Sequence, residues 1–198
     1  MSHHATEDIA IMRALPNLVV MAPGDYLEAE ACTRALCEYK GTAYMRLGRG
    51  GEKRIHESLD GFCIGKAIKV RDGSRVAIFS TGAIYDEVET ACEILNGHSI
   101  HPSTYTFPTV KPVDCKTIEE CCRKYDLIVT CEEHNIVGGF GSAVAEVMAE
   151  LSGEKASLMR VGINDSYSET VGNQAYLRDV YGISAQKIAS RIIERLNG

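Results

Sequence analysis

Apolar residues along the chain alternate between two rhythms. Short runs at Leu18-Val19-Val20-Met21-Ala22, Ala43-Tyr44-Met45, Val76-Ala77-Ile78-Phe79, Leu127-Ile128-Val129 and Leu158-Met159-Arg160-Val161 have the length and content of strands. Several are continuous rather than alternating, which predicts strands covered on both faces. Between them the period changes. Ile84, Val88, Cys92 and Leu95 recur at helical spacing, as do Val144, Val147, Met148 and Leu151, and then Ile188, Ile192 and Leu196. Asp25 with Glu28 three residues later reads as a capping box for a helix reaching about Tyr39, and Ser184 as the N-cap of the last helix. Strand and helix in alternation predict an α/β fold, a three-layer sandwich around a mostly parallel sheet.

The alternation breaks once. The stretch GRGGEKRIHESLDG, starting at Gly48, is rich in glycine and charge and has no apolar period, so residues 49–61 read as a linker. The unit after it, residues 62–198, holds enough strands and helices to close a domain. The unit before it, residues 1–48, holds two strands and two helices. Ordering that many residues costs on the order of 50 to 100 kcal/mol of backbone entropy. At roughly 25 cal/mol per Å², this demands several thousand Å² of apolar burial. The first unit is expected to be incomplete, with a sheet edge and an apolar face exposed unless it packs on another surface.

Charge and composition narrow the function classes. The 198 residues carry a formal net charge of −6 and show no basic run, which excludes a phosphate-backbone binder of the nucleic-acid type. No apolar run is long enough to cross a bilayer, and no basic segment precedes an apolar one at the N-terminus, so the expectation is a cytoplasmic protein with no membrane partner. Among the 8 cysteines none shows CxxC spacing. Cys32, Cys37, Cys92, Cys121 and Cys122 fall in helical stretches and Cys131 ends an apolar run, as expected of reduced thiols used as small core residues.

The segments SHHATEDIAIMRALPNLVVMAPGD, YMRLGRGG, FSTGA, TVKPVD, EEHNIVGGFGSAVAEVMAE and MRVGINDSYSE resemble, in order and spacing, the C-terminal part of the transketolase family. The similarity runs essentially end to end and is greatest to the C-terminal subunit of two-chain prokaryotic transketolases. It implies a thiamine diphosphate and Mg²⁺ enzyme of three α/β domains. Residues 1–48 would be the C-terminal portion of the pyrimidine-binding domain and residues 62–198 the transketolase C-terminal domain. The family's activating glutamate, its ring-stacking aromatic residue and its GDG metal motif have no counterpart here, so no cofactor is expected on this chain alone. The implied partners are the N-terminal transketolase half or subunit, sugar phosphates and a second copy in a homodimer.

The same resemblance assigns site residues. His3 matches the histidine of the family's Thr-His-Gln segment and would move protons at the substrate's oxygens, as an imidazole titrating near neutrality can. His4 stands where the family has glutamine. Arg49 matches the arginine that holds the sugar phosphate, and Arg46 is a second candidate. Both follow an apolar strand, at the edge where parallel sheets present ligands, and a guanidinium binds phosphate through paired N–H groups. The motif EEHNIVGGFGS puts glycines at the start of a helix whose N–H groups could receive an anion, but no GxGxxG pattern is present, and the segment is read as structural. The implied reaction is transfer of a two-carbon ketol unit between sugar phosphates, with the fragment inactive alone. The alternatives are the C-terminal part of another thiamine diphosphate enzyme, a deoxyxylulose phosphate synthase or a 2-oxoacid dehydrogenase beta subunit, and a noncatalytic dimerisation or regulatory module.

Overall fold

The computed structural model describes residues 6–198. Its elements run α1 (Asp8–Ala14), β1 (Leu18–Met21), α2 (Tyr26–Glu38), β2 (Thr42–Met45), β3 (Ile68–Arg71), β4 (Val76–Thr81), α3 (Tyr85–Gly97), β5 (Ser103–Thr106), β6 (Thr109–Lys111), α4 (Cys115–Lys124), β7 (Leu127–Asn135), α5 (Phe140–Glu150), β8 (Ser157–Ile163), α6 (Gln174–Val180) and α7 (Ala185–Asn197). A five-stranded sheet has the order β3-β5-β4-β7-β8. All its pairings are parallel except that of the edge strand β3, so the fold is a mostly parallel α/β sandwich.

Alternation along the central strands separates the two faces. Ala77 and Phe79 of β4, with Ile128 of β7, point to a core shared with α4 and α5, where Phe79, Phe107 and Phe140 stack in tilted pairs. Val76, Ile78, Leu127, Val129 and Cys131 point to the other core, closed by α3 and α7 through Val88, Cys92, Leu95, Ile188 and Ile192. Both faces of β4 are buried along its whole length, which is why its first four residues, Val76-Ala77-Ile78-Phe79, are apolar without alternation.

The first unit does not stand apart. Its strands β1 and β2 pair in parallel, and β1 takes a second, antiparallel partner in β6, contributed by the second unit. The chain crosses from the large sheet to the small one at Phe107 and Pro108, where the Ala22 amide donates to Pro108 and Thr81 Oγ1 donates to the Phe107 carbonyl. Ile9, Leu18, Val20 and Ala22 join the Phe79–Phe107–Phe140 core. Association with the second unit thus supplies burial that two strands and two helices lack. The outer edge of β2 has no strand partner among the described residues.

Residues 49–61 carry no helix or strand yet are tied down in the middle. Asp25 Oδ1 accepts the Glu28 amide at 2.8 Å, as the capping box requires, while Asp25 Oδ2 accepts the Ile55 amide at 2.7 Å. Glu28 departs from the simple box. Its carboxylate accepts the Gly24 amide at 2.6 Å and meets His56 Nε2 at 2.7 Å, and both side chains are buried. Ser184 also sits at a helix start as expected, but it donates to Asp179; the free amide of Ala185 is taken by Glu87 Oε2 at 2.7 Å.

Candidate functional site

The carboxyl ends of β1, β2, β4, β7 and β8 converge beneath α6 and leave a cleft of about 760 Å³. In an open parallel sheet this is where ligands are received, because the loops leave the strands there. Thr6, Asp8, Arg46, Arg49, Glu133 and Gln174 are among its lining residues. Both arginines named from the sequence therefore reach one cleft. His3 and His4 lie outside the described residues, but Thr6, three positions on, lines the cleft wall.

The two arginines do different work. Arg46 donates to the Glu133 carbonyl at 2.8 Å and faces Asp8 Oδ1 at 3.6 Å, so its guanidinium ties β2 to β7 and α1. Arg49 is exposed in the glycine-rich loop, and among the described residues its guanidinium has no hydrogen-bonding or ionic partner. An uncommitted fork at the mouth of a cleft is the arrangement that accepts an anion at least cost.

Several polar groups on the cleft floor belong to EEHNIVGGFGS, the segment read from the sequence as structural. Alternation along β7 turns Thr130, Glu132 and His134 to the α5 side and Glu133 to the α6 side. Glu132 is 1% exposed, and its two oxygens accept the Phe140 amide at 2.6 Å and the Gly141 amide at 2.8 Å. The group received by this helix start is therefore the protein's own side-chain carboxyl. Burial pushes the Glu132 pKa up to about 7, against the pull of the two amides and of Arg46 and Arg13. The glycines of the motif make this possible: Gly138 has a φ of +74°, and a Cβ on Gly139 would meet Glu132 Oε2 at 2.2 Å.

His134 is fully buried and lies 3.8 Å from Glu132 Oε2 and 3.9 Å from Asp8 Oδ1. Its Nδ1 faces the Asn135 carbonyl at 2.6 Å and so carries the proton, which leaves Nε2 to accept the Ala10 amide at 3.3 Å. Burial holds its pKa below the ordinary histidine range. Asp8 takes the Tyr44 hydroxyl on Oδ2 at 2.7 Å, while its Oδ1 is buried with no hydrogen bond. Burial, then the Asp8 contact, pushes the Tyr44 hydroxyl up to about 12. On the α6 side Arg178 bonds Glu133 at 2.6 Å and Glu87 at 3.2 Å, closing the far wall.

These residues do not fit a metal-bound diphosphate. No group of three or more His, Cys, Asp or Glu suited to a metal ion occurs among the described residues. The helix-start amides that could hold a diphosphate are filled by Glu132. The motif EEHNIVGGFGS thus closes on itself.

Comparison with known proteins gives a consistent picture. The family described as transketolase, C-terminal domain, matches residues 65–188. A Methanocaldococcus jannaschii protein named as a transketolase C-terminal section is 40% identical over 98% of the chain and 61% of its own length. The 1-deoxy-D-xylulose-5-phosphate synthase of Heliobacterium modesticaldum is 36% identical over 95% of the chain and 29% of its own length. A solved split-gene transketolase, an inactive beta4 tetramer, superposes with a TM-score of 0.89 at 32% identity, over 99% of this chain and 63% of that one. The chain spans about three-fifths of the M. jannaschii protein and of the split-gene structure.

Proposed function

Because the chain belongs to the transketolase C-terminal domain family, we propose that it is the C-terminal portion of a transketolase that moves a two-carbon ketol unit between sugar phosphates. In this reading residues 1–48 finish a pyrimidine-binding domain, residues 49–61 connect, and residues 62–198 form the C-terminal domain. The observation that carries it is the meeting of Arg49 with Thr6 on one cleft. Three residues of extended chain span at most about 11 Å, so the cleft is within reach of His3.

Arg49 would hold the phosphate of donor or acceptor, and His3 would exchange protons with the sugar oxygens at the other end. Arg46 keeps the floor in place rather than gripping the ligand. Thiamine diphosphate with Mg²⁺ would supply the carbanion chemistry in the whole enzyme. Those groups would be held by residues other than the ones described here, in an N-terminal subunit or half and across a homodimer. The fragment alone would be inactive. No described helix is long and apolar enough to cross a membrane, and a cytoplasmic site of action fits a sugar phosphate substrate.

The match to a 1-deoxy-D-xylulose-5-phosphate synthase supports a second reading, in which the donor is a 2-oxoacid that loses carbon dioxide. The chain assembled with the remainder of a transketolase, thiamine diphosphate and Mg²⁺ separates the two. Ketol transfer from a ketose phosphate without carbon dioxide release supports the first. Carbon dioxide release from pyruvate supports the second. Full activity of His3→Ala would favour a noncatalytic role for this chain.

A further inference from the structure

Helix α1 starts without a side-chain cap from its own N-terminus. Its N-cap residue Glu7 makes no side-chain cap, and its first internal hydrogen bond is donated by Ile11. The Ala10 amide, in the first turn, therefore has no partner within the helix. It is taken instead by His134 Nε2, from a strand 124 residues further along the chain. The next residue of that strand, Asn135, donates its amide to the Thr6 carbonyl at 2.7 Å. Two adjacent residues of β7 thus fix the chain at Thr6 and at Ala10, on either side of the helix start.

We propose that His134 is a positioning residue, a buried imidazole that caps α1 from outside and so fixes the chain where Thr6 enters the cleft wall. The role rests on the reading of His3 given above and does not require His134 to touch substrate. Its chemistry follows from one tautomer. The Asn135 carbonyl holds the proton on Nδ1, leaving Nε2 as an acceptor. A second proton on Nε2 would turn that acceptor into a donor, and the Ala10 amide would lose its partner. The charged and titratable groups facing the ring are Asp8 from α1, Glu132 from its own strand and Arg46 from the loop after β2, while Gly139, just before α5, lies against Nδ1. A protonated ring would turn to acceptors on α1 itself, the Glu7 carbonyl and Asp8 Oδ1, which is buried, unbonded and 3.9 Å away.

Amide hydrogen exchange of the full chain, read residue by residue, tests this. In the native protein the Ala10 amide should be protected near neutral pH and lose protection in acid, before the sheet amides do. His134→Ala should accelerate Ala10 exchange about fivefold, the size of effect expected when one helix cap is lost. Because a buried alanine substitution risks the fold, His134→Gln serves as the second variant. Its amide oxygen can accept from Ala10 without titrating, so protection should be retained and its acid dependence abolished. In the assembled enzyme His134→Ala should lower kcat while leaving the KM for sugar phosphate unchanged, with His134→Gln restoring kcat. Unchanged Ala10 exchange in a folded His134→Ala protein would overturn the proposal. So would retention of the native acid dependence in His134→Gln. Failure of the His3 reading shows elsewhere, as full activity of His3→Ala, and leaves the exchange result standing.

Discussion

Glu132 offers a quantitative test, because a carboxyl group buried to 1% exposure and pushed up to about 7 has to leave its mark on stability. In the unfolded chain the group ionises near its ordinary value of 4.5. Between that pH and about 7 the folded protein holds a proton that the unfolded chain has released. Stability must therefore fall as pH rises through this window and level off above it. A pKa gap of this size corresponds to about 3 kcal/mol. His134 acts in the opposite sense. Its lowered pKa means that the unfolded chain binds the extra proton first, so its contribution rises with pH up to the ordinary histidine range. Comparison with Glu132→Gln separates the two, since the variant cannot titrate at this site. Urea unfolding of both proteins from pH 4.5 to 8 should show native stability falling relative to the variant by about 3 kcal/mol across the window. A difference between the two proteins that stays constant with pH would show that Glu132 ionises normally, and the reading of a desolvated anion capping α5 would be wrong.

The remaining expectations are simpler. Arg49→Ala should raise the KM of the assembled enzyme for sugar phosphate about thirtyfold, the worth of about 2 kcal/mol for a charge-assisted bond, with little change in melting temperature. Arg46→Ala should do the reverse, costing about 2 kcal/mol of stability because the buried Asp8 carboxylate loses its nearest cation. His56→Ala leaves the buried Glu28 carboxylate short of a partner and should cost about 1 to 3 kcal/mol, with residues 49–61 becoming the first site of limited proteolysis. Thiol titration of the native protein should count three fast cysteines, Cys37, Cys63 and Cys115, with the five buried ones reacting only after unfolding. Burial pushes the Cys32 thiol up to about 12 and Cys92 up to about 11, which slows them further.

What could be read from the sequence depended on how each segment achieves burial. The opening stretches of β4 and β7 pack into apolar cores on both faces, and their apolar runs announce them. Strand β5 is equally buried but reads Ser103-Thr104-Tyr105-Thr106, because its polar atoms are matched inside the protein. The Tyr125 hydroxyl donates to Ser103 at 2.8 Å, and Tyr85 and Thr104 hydroxyls meet at 3.0 Å. A hydropathy rhythm cannot see such a strand. Strand β3 is half-exposed at an edge and β6 is three residues long, so neither generates a clear period. Of the six cysteines that the sequence places in helical or strand-like runs five are buried, and the sixth, Cys37, lies exposed on α2.

The candidate site divides the same way. Arg49 and Arg46 stood out because charge after an apolar strand marks a sheet's ligand edge, yet only geometry separates the free guanidinium from the engaged one. Asp8, Tyr44 and His134 are far apart in sequence and meet only through the docking of α1 on β7. For Glu132 and His134 the one local signal was their shared parity on a strand whose earlier residues were buried. The same motif, whose glycines could have opened an anion site, reads as structural, and Glu132 occupies the amides at its helix start.

One measurement bears on the whole reading. The chain, the remainder of a transketolase and the mixture of both should each be supplied with thiamine diphosphate, Mg²⁺, a ketose phosphate and an aldose phosphate, and two-carbon transfer followed. The expected result is no transfer by either part, transfer by the mixture, and loss of that transfer with His3→Ala. Transfer by this chain alone, or transfer by the mixture that His3→Ala and Arg49→Ala leave untouched, would contradict it.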